Sequence, residues 1–105
     1  MAVSTEEAYR ATARRLADAH RHEDPATKSV YLFPDPGFAN VRLLEVSGSA
    51  PRSGDVLPFA FAPHPESGVA FPSTVILLSP DEWEAVEAGT LELPPDWDFA
   101  SKELL

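Results

Sequence analysis

Apolar side chains recur at helical spacing near the N-terminus. One side of the helical wheel, about 60° wide, collects Tyr9, Ala13, Leu16 and His20. Ser4, followed by Glu7 three residues on, fits a capping box just before this stripe. Pro25 disfavours helical geometry at the residue before it. The pattern therefore predicts a first helix that begins after Ser4 and ends in the run Glu23-Asp24-Pro25.

Four runs rich in β-branched and aromatic residues follow, and each is succeeded within two residues by proline or glycine. They span residues 29–33, 41–47, 56–62 and 69–78. Pro58 lies within the third run, which favours an edge strand or a bulge, because proline cannot donate a ladder hydrogen bond. The segment from Thr74 to Leu78 is apolar on both faces. This is typical of a central strand that is covered on both sides or lies at a subunit contact.

A second helix is indicated directly after the last run. Ser79 is in the capping position, Pro80 is at the first helical position, and Glu82 completes the capping box. Trp83 lies where a hydrophobic staple to the preceding strand requires an apolar residue. Gly89 is suited to the left-handed cap that ends a helix, so this helix is predicted to be short.

These elements predict one α+β domain over residues 1–105, a length close to the commonest domain size. The predicted order is an N-terminal helix, three to five mostly antiparallel strands in a meander, a short second helix and an extended C-terminal tail. The two helices can cover one face of the sheet. We expect the tail or a second copy of the chain to cover the other.

Composition excludes several classes of protein. The chain has no cysteine, which excludes disulfides, thiolate catalysis and cysteine-ligated metal centres. No apolar run is long enough to span a membrane. The N-terminal residues lack the basic and apolar regions of a signal peptide, so a cytoplasmic protein is expected.

Charge adds a second restriction. The formal net charge is −9, from 17 acidic and 8 basic residues. Eight of the acids lie between Asp81 and Glu103, where Lys102 is the only opposing cation. Such a surface disfavours binding to nucleic acids and to anionic membranes. It is compatible with a purely solubilising role, with a docking face for a basic protein partner or with mimicry of a nucleic acid.

Part of this acidity has a local explanation, because the dipole of the second helix favours anions in its first turn. This explanation applies to Asp81, Glu82 and Glu84, and it weakens the docking interpretation. The predicted binding residues are Glu84, Glu87, Asp96, Trp97 and Asp98. Trp97 between two aspartates is expected near the surface as a binding hot spot, and the alternative is that its ring folds back on the sheet.

Candidates for catalysis are few. His64 and Glu66 share the turn at residues 63–68, where a rigid loop carrying both could support acid–base chemistry. No nucleophile or phosphate-loop motif accompanies them. His20 and His22 would point about 160° apart on a helix, so they predict no metal site. His20 is expected to be a buried histidine with one hydrogen bond.

The sequence thus favours a small, acidic, non-enzymatic interaction module, such as an adaptor, a regulatory subunit or an immunity-type inhibitor, that docks through its acidic C-terminal third. No cofactor or metal is expected. Two alternatives stay open: a small enzyme using His64 and Glu66, and a carrier of a small ligand on the sheet face. Self-association through the sheet is a further expectation.

Overall fold

A computed structural model describes residues 4–48, the backbone of residues 56–63, and residues 70–105. The first helix, α1, spans Thr5–Glu23. The Ser4 hydroxyl accepts a hydrogen bond from the Glu7 backbone N–H at 3.1 Å, which satisfies a donor that the first turn leaves unpaired. At the other end, the Asp24 backbone N–H donates to the His20 carbonyl at 2.9 Å. The predicted first helix is confirmed.

A five-stranded sheet forms the centre of the molecule. Its strands are β1 (Thr27–Leu32), β2 (Val41–Ser47), β3 (Val56–Pro63), β4 (Ala70–Leu78) and the two-residue β5 (Glu103–Leu104). The order across the sheet is β3-β4-β2-β1-β5. β1 pairs antiparallel with β2 and β5, and β3 pairs antiparallel with β4, whereas β2 and β4 are parallel. The α+β class and the mostly antiparallel sheet are confirmed.

The parallel pairing means that two hairpins lie side by side instead of forming one continuous meander. β4 lies between β3 and β2 because its side chains are apolar on both faces and gain most from an interior position. β3 carries Pro58 and takes the edge, with a register shift between Phe59 and Ala62. The expectation of an edge strand or a bulge for β3 and that of a central position for β4 are confirmed.

The two helices cover opposite faces of the sheet. α1 packs on one face, where Tyr9 and three alanines of the helix meet Leu32, Leu43 and Val75. The second helix, α2 (Pro80–Glu87), packs with the C-terminal tail on the other face, over Leu44 and Ile76. The expectation that both helices share a face is therefore wrong, and the tail provides the cover that the second face needs.

The junction between β4 and α2 follows the predicted pattern closely. The Ser79 hydroxyl accepts from the Glu82 backbone N–H at 3.2 Å, and the Glu82 carboxylate accepts from the Ser79 N–H at 3.0 Å. Trp83 is buried, and Pro80 occupies the first turn, where no N–H is needed. Gly89 has a φ of 80°, the left-handed conformation that ends the helix.

Arginines anchor the tail at several points. The Arg42 guanidinium donates to the Asp96 carbonyl at 2.8 Å. Arg10 forms an ion pair with Glu103, and Arg21 donates to the Leu105 carbonyl. The tail is thus fixed from residue 96 to residue 105. It contains a 3₁₀ turn at Phe99–Ser101 and ends in β5, so it is more structured than the extended arm that the sequence predicts.

No helix in the described parts of the chain is long and apolar enough to cross a membrane.

Candidate functional site

Six exposed carboxylates lie on α2 and the tail, and together we call them the acidic face. They are Asp81, Glu84, Glu87, Glu92, Asp96 and Asp98. Across the described residues, none of the six forms an ion pair. The nearby cation, Lys102, lies over the ring of Phe99, 3.8 Å from its centroid. The six carboxylates are therefore exposed and have no ion-pair partner within the described chain.

The position of each acid along α2 shows which negative charges stabilise the helix and which do not. Asp81 and Glu82 lie in the first turn, where the helix dipole stabilises anions, and Glu82 also closes the capping box. Glu87 is the last residue of the helix, where the dipole disfavours a negative charge. No basic residue lies in that last turn to offset it. Glu84 and Glu87 are three residues apart on the same helix, so their charges also repel each other. Helix stability accounts for the first pair and not for the second.

An apolar cleft of about 400 Å³ lies next to this end of α2. Its walls are formed by side chains of α2 and of the tail segment that follows, namely Val86, Leu91, Leu93, Pro94, Pro95 and Phe99. Leu91 is 37% exposed, so it is one of the large apolar residues that the fold leaves accessible. Glu92 and Trp97 complete the lining. An apolar depression is thus placed among unpaired acids.

Trp97 is not on the surface as predicted; it is 8% exposed and belongs to the core beneath the tail. Its ring centroid lies 5.3 Å from that of Phe33, the residue after β1. The cause is the tight path of the tail: Arg42 holds the Asp96 carbonyl, and the Trp97 backbone N–H donates to the Pro94 carbonyl at 2.9 Å. This turn directs the indole inward, as in the alternative considered above. Its role in binding stays a prediction, now as part of a cleft wall.

A second, polar cleft of about 530 Å³ also has Trp97 in its lining. It is lined by the loop between β1 and β2, by β2, by β4 and by the tail, through Asp35, Pro36, Asn40, Arg42, Thr74, Asp96 and Trp97. Besides holding Asp96, the Arg42 guanidinium donates to the Phe33 carbonyl at 3.2 Å and the Pro34 carbonyl at 2.8 Å. Three backbone carbonyls therefore engage this arginine.

Asp35 organises the loop that forms one wall of the polar cleft. Its carboxylate accepts from the backbone N–H groups of Ala39 at 3.1 Å and Asn40 at 3.0 Å, and from the Asn40 side-chain amide at 3.1 Å. Burial raises the pKa of Asp35, but the hydrogen bonds from Asn40, Ala39 and Gly37 together outweigh it and bring the pKa below its ordinary value. Asp35 therefore stays negatively charged at neutral pH.

On the opposite face of the sheet, His20 lies at the end of α1, with its Nδ1 3.0 Å from the Glu45 Oε2. Glu45 is 3% exposed and also accepts a hydrogen bond from the Thr27 hydroxyl. Sequence reasoning placed His20 on the inner stripe but missed Glu45. The signal was present: Glu45 interrupts an apolar strand at a position that shares its face with buried Leu43. This pair joins the helix to the sheet.

The remaining predicted residues are placed as follows. Glu84, Glu87, Asp96 and Asp98 are all exposed, and Asp98 in addition accepts a hydrogen bond from the Ala100 backbone N–H at 3.1 Å. His64 and Glu66 lie outside the described residues. Among the described residues, no group of three or more histidines and carboxylates could hold a metal ion.

Comparisons with protein-family models, curated proteins and solved structures found no match to this chain.

Proposed function

We propose that this protein is an interaction module that docks a basic segment of a partner protein on α2 and the adjoining tail. The observation that carries the proposal is the placement of Glu84 and Glu87: both are exposed and without an ion-pair partner within the described chain, and they lie on the helix whose Val86 lines an apolar cleft. Charges in such a position increase the rate of encounter with a basic partner and select against acidic ones.

The energetics of α2 support the same conclusion. Two glutamates that repel each other, one of them at the unfavourable end of the dipole, each cost the helix a few tenths of a kcal/mol. A purely solubilising charge could be placed anywhere on the surface without this cost. The apolar cleft supplies the component that charge lacks, since most binding energy comes from a few desolvated apolar contacts surrounded by polar groups.

A charge-reversal experiment tests this function. The double variant Glu84→Lys/Glu87→Lys changes the net charge by four units, and the control Glu7→Lys/Glu23→Lys makes the same change on α1. All four side chains are exposed. Immobilised wild-type protein and both variants are exposed to lysate of the source organism at several salt concentrations, and bound proteins are identified by mass spectrometry.

We expect wild type and the α1 control to retain a basic protein that the α2 variant loses, and this retention to weaken with salt. The melting temperature of the α2 variant should change little, because lysines are favourable at the C-terminal end of a helix. Equal retention by all three proteins, or equal loss from both variants, contradicts docking on α2. If the α2 variant unfolds, the two glutamates are structural and the proposal fails.

A further inference from the structure

The apolar and polar clefts share a wall. Trp97 lines both, and Asp96, the residue before it, lines the polar one. A bound chain that crosses the position of Trp97 could therefore contact both clefts. We call the two depressions together the groove, with an apolar half and a polar half that adjoin at Trp97.

The charges in the polar half favour a cation. Its ionisable lining consists of Asp35, Asp96 and Arg42. The Asp35 carboxylate is engaged by the N–H groups of its own loop, and the Arg42 guanidinium donates to three backbone carbonyls. The Asp96 carboxylate is exposed and has no ion-pair partner in the described chain. The Asp96 carboxylate is thus the charged group of the lining that is most accessible to a ligand, and it would pair with a positively charged group.

The spacing favours an extended segment. In an extended chain, side chains on one face recur every second residue, about 6.5–7 Å apart, which is the scale of a single aromatic side chain. Two side chains separated by one residue can therefore lie on either side of Trp97. A helix is 10–12 Å across with its side chains and would lie over both clefts without entering them to the same depth.

We infer that the groove on either side of Trp97 binds an extended partner segment with a large apolar residue in one cleft and a lysine or arginine two positions away in the other. The inference rests on the proposed function and specifies its ligand. The apolar side chain is held among Leu91, Leu93 and the two prolines. The cation pairs with Asp96. Glu84 and Glu87 attract further basic residues of the segment.

Peptide selection provides the test. A library of random heptapeptides displayed on phage is selected against the immobilised full chain, and enriched peptides are synthesised and titrated by calorimetry. Two groove variants are compared with wild type: Leu91→Ser, which removes an exposed apolar wall, and Asp96→Lys, which reverses the charge and retains the backbone carbonyl that Arg42 holds. Glu7→Lys is the charge control on α1.

We expect enriched peptides to share an apolar residue and a lysine or arginine separated by one position. Leu91→Ser should weaken their binding about tenfold or more, as loss of a central apolar contact does. Asp96→Lys should weaken it about fivefold, the size of one partly exposed ion pair. Asp96→Lys should also bind a peptide in which glutamate replaces the lysine more tightly than it binds the original peptide. Glu7→Lys should leave binding unchanged.

Several results overturn the groove. These are enriched peptides without the apolar and cationic pair, a spacing of three or four residues typical of a helix, or binding that neither groove variant affects. A dimer of this chain that Leu91→Ser dissociates makes a second copy the occupant and also overturns it. If peptides are lost by Glu84→Lys/Glu87→Lys and retained by both groove variants, docking on α2 stands and the groove falls. If no peptide is enriched, the groove falls, and the lysate experiment still decides the proposed function.

Discussion

Trp83 connects α2 to the rest of the fold, and replacing it with alanine should be among the most damaging single changes. Its indole is 7% exposed and stacks on Tyr31 with ring centroids 4.7 Å apart and planes 25° apart. Phe99 of the tail lies 5.7 Å away on the same aromatic cluster. A buried tryptophan removes about 200 Å² from water, which at ~25 cal/mol per Å² corresponds to about 5 kcal/mol.

The Trp83→Ala variant should therefore lose about 3–5 kcal/mol of unfolding free energy, the usual cost of deleting a large buried aromatic. A domain of this size has about 5–15 kcal/mol in total, so the variant keeps a fold of reduced stability or loses it. Urea denaturation followed by far-UV circular dichroism measures the change without relying on tryptophan fluorescence, which the substitution alters. Glu84→Ala, on the exposed side of α2, is the control and should shift stability by less than about 0.5 kcal/mol. A loss below about 1 kcal/mol for Trp83→Ala would refute the packing of α2 described above.

Three further substitutions test separate parts of the fold. Ser79→Ala removes the cap of α2 and should cost about 1 kcal/mol by urea denaturation, and in a double-mutant cycle with Trp83→Ala the two losses should not add, because both act on one junction; strict additivity would contradict that coupling. His20→Ala takes away a hydrogen-bond partner of the buried Glu45 carboxylate and should cost about 1–3 kcal/mol, whereas a loss below about 0.5 kcal/mol would mean that this contact contributes little. Asp35→Asn tests the loop of the polar cleft through the pH dependence of stability. Because folding lowers the pKa of Asp35, its charged carboxylate stabilises the fold at pH values above the pKa of about 3.9 that it has in the unfolded chain. This contribution disappears as the pH falls through the pKa of the folded state. The stability difference between wild type and Asp35→Asn should therefore be present at pH 6 and shrink toward pH 2, and a difference independent of pH would contradict it.

Local signals made the helices predictable. The capping box of α2 involves residues three apart in the sequence, and its hydrogen bonds form between those same residues. The cap of α1 is equally local. Such contacts can be inferred without knowing the rest of the fold, because the unpaired N–H groups of a first turn have the same requirement in every helix.

Long-range contacts decided what the sequence could not predict. β4 lies beside β2 because the β3-β4 hairpin joins the β1-β2 hairpin through those two strands. No local sequence pattern distinguishes parallel from antiparallel pairing there. Trp97 was expected at the surface because aspartates flank it, but its orientation depends on Arg42, which is 54 residues from the Asp96 carbonyl that it holds. Polar residues on either side of a side chain in the sequence do not determine its direction. The path of the backbone decides whether that side chain faces the core or the solvent.

The path of the tail also explains why the candidate site must be tested at its exposed residues and not at Trp97. Trp97 is part of the hydrophobic core and a wall of both clefts, so its removal would lower stability and alter binding together. A loss of binding after that substitution would not distinguish a ligand contact from a disturbed fold. Leu91 and Asp96 have exposed side chains, and the backbone carbonyl of Asp96, not its carboxylate, holds the tail to Arg42. Substitutions at these two residues change the chemistry of the groove while leaving the anchors of the tail in place.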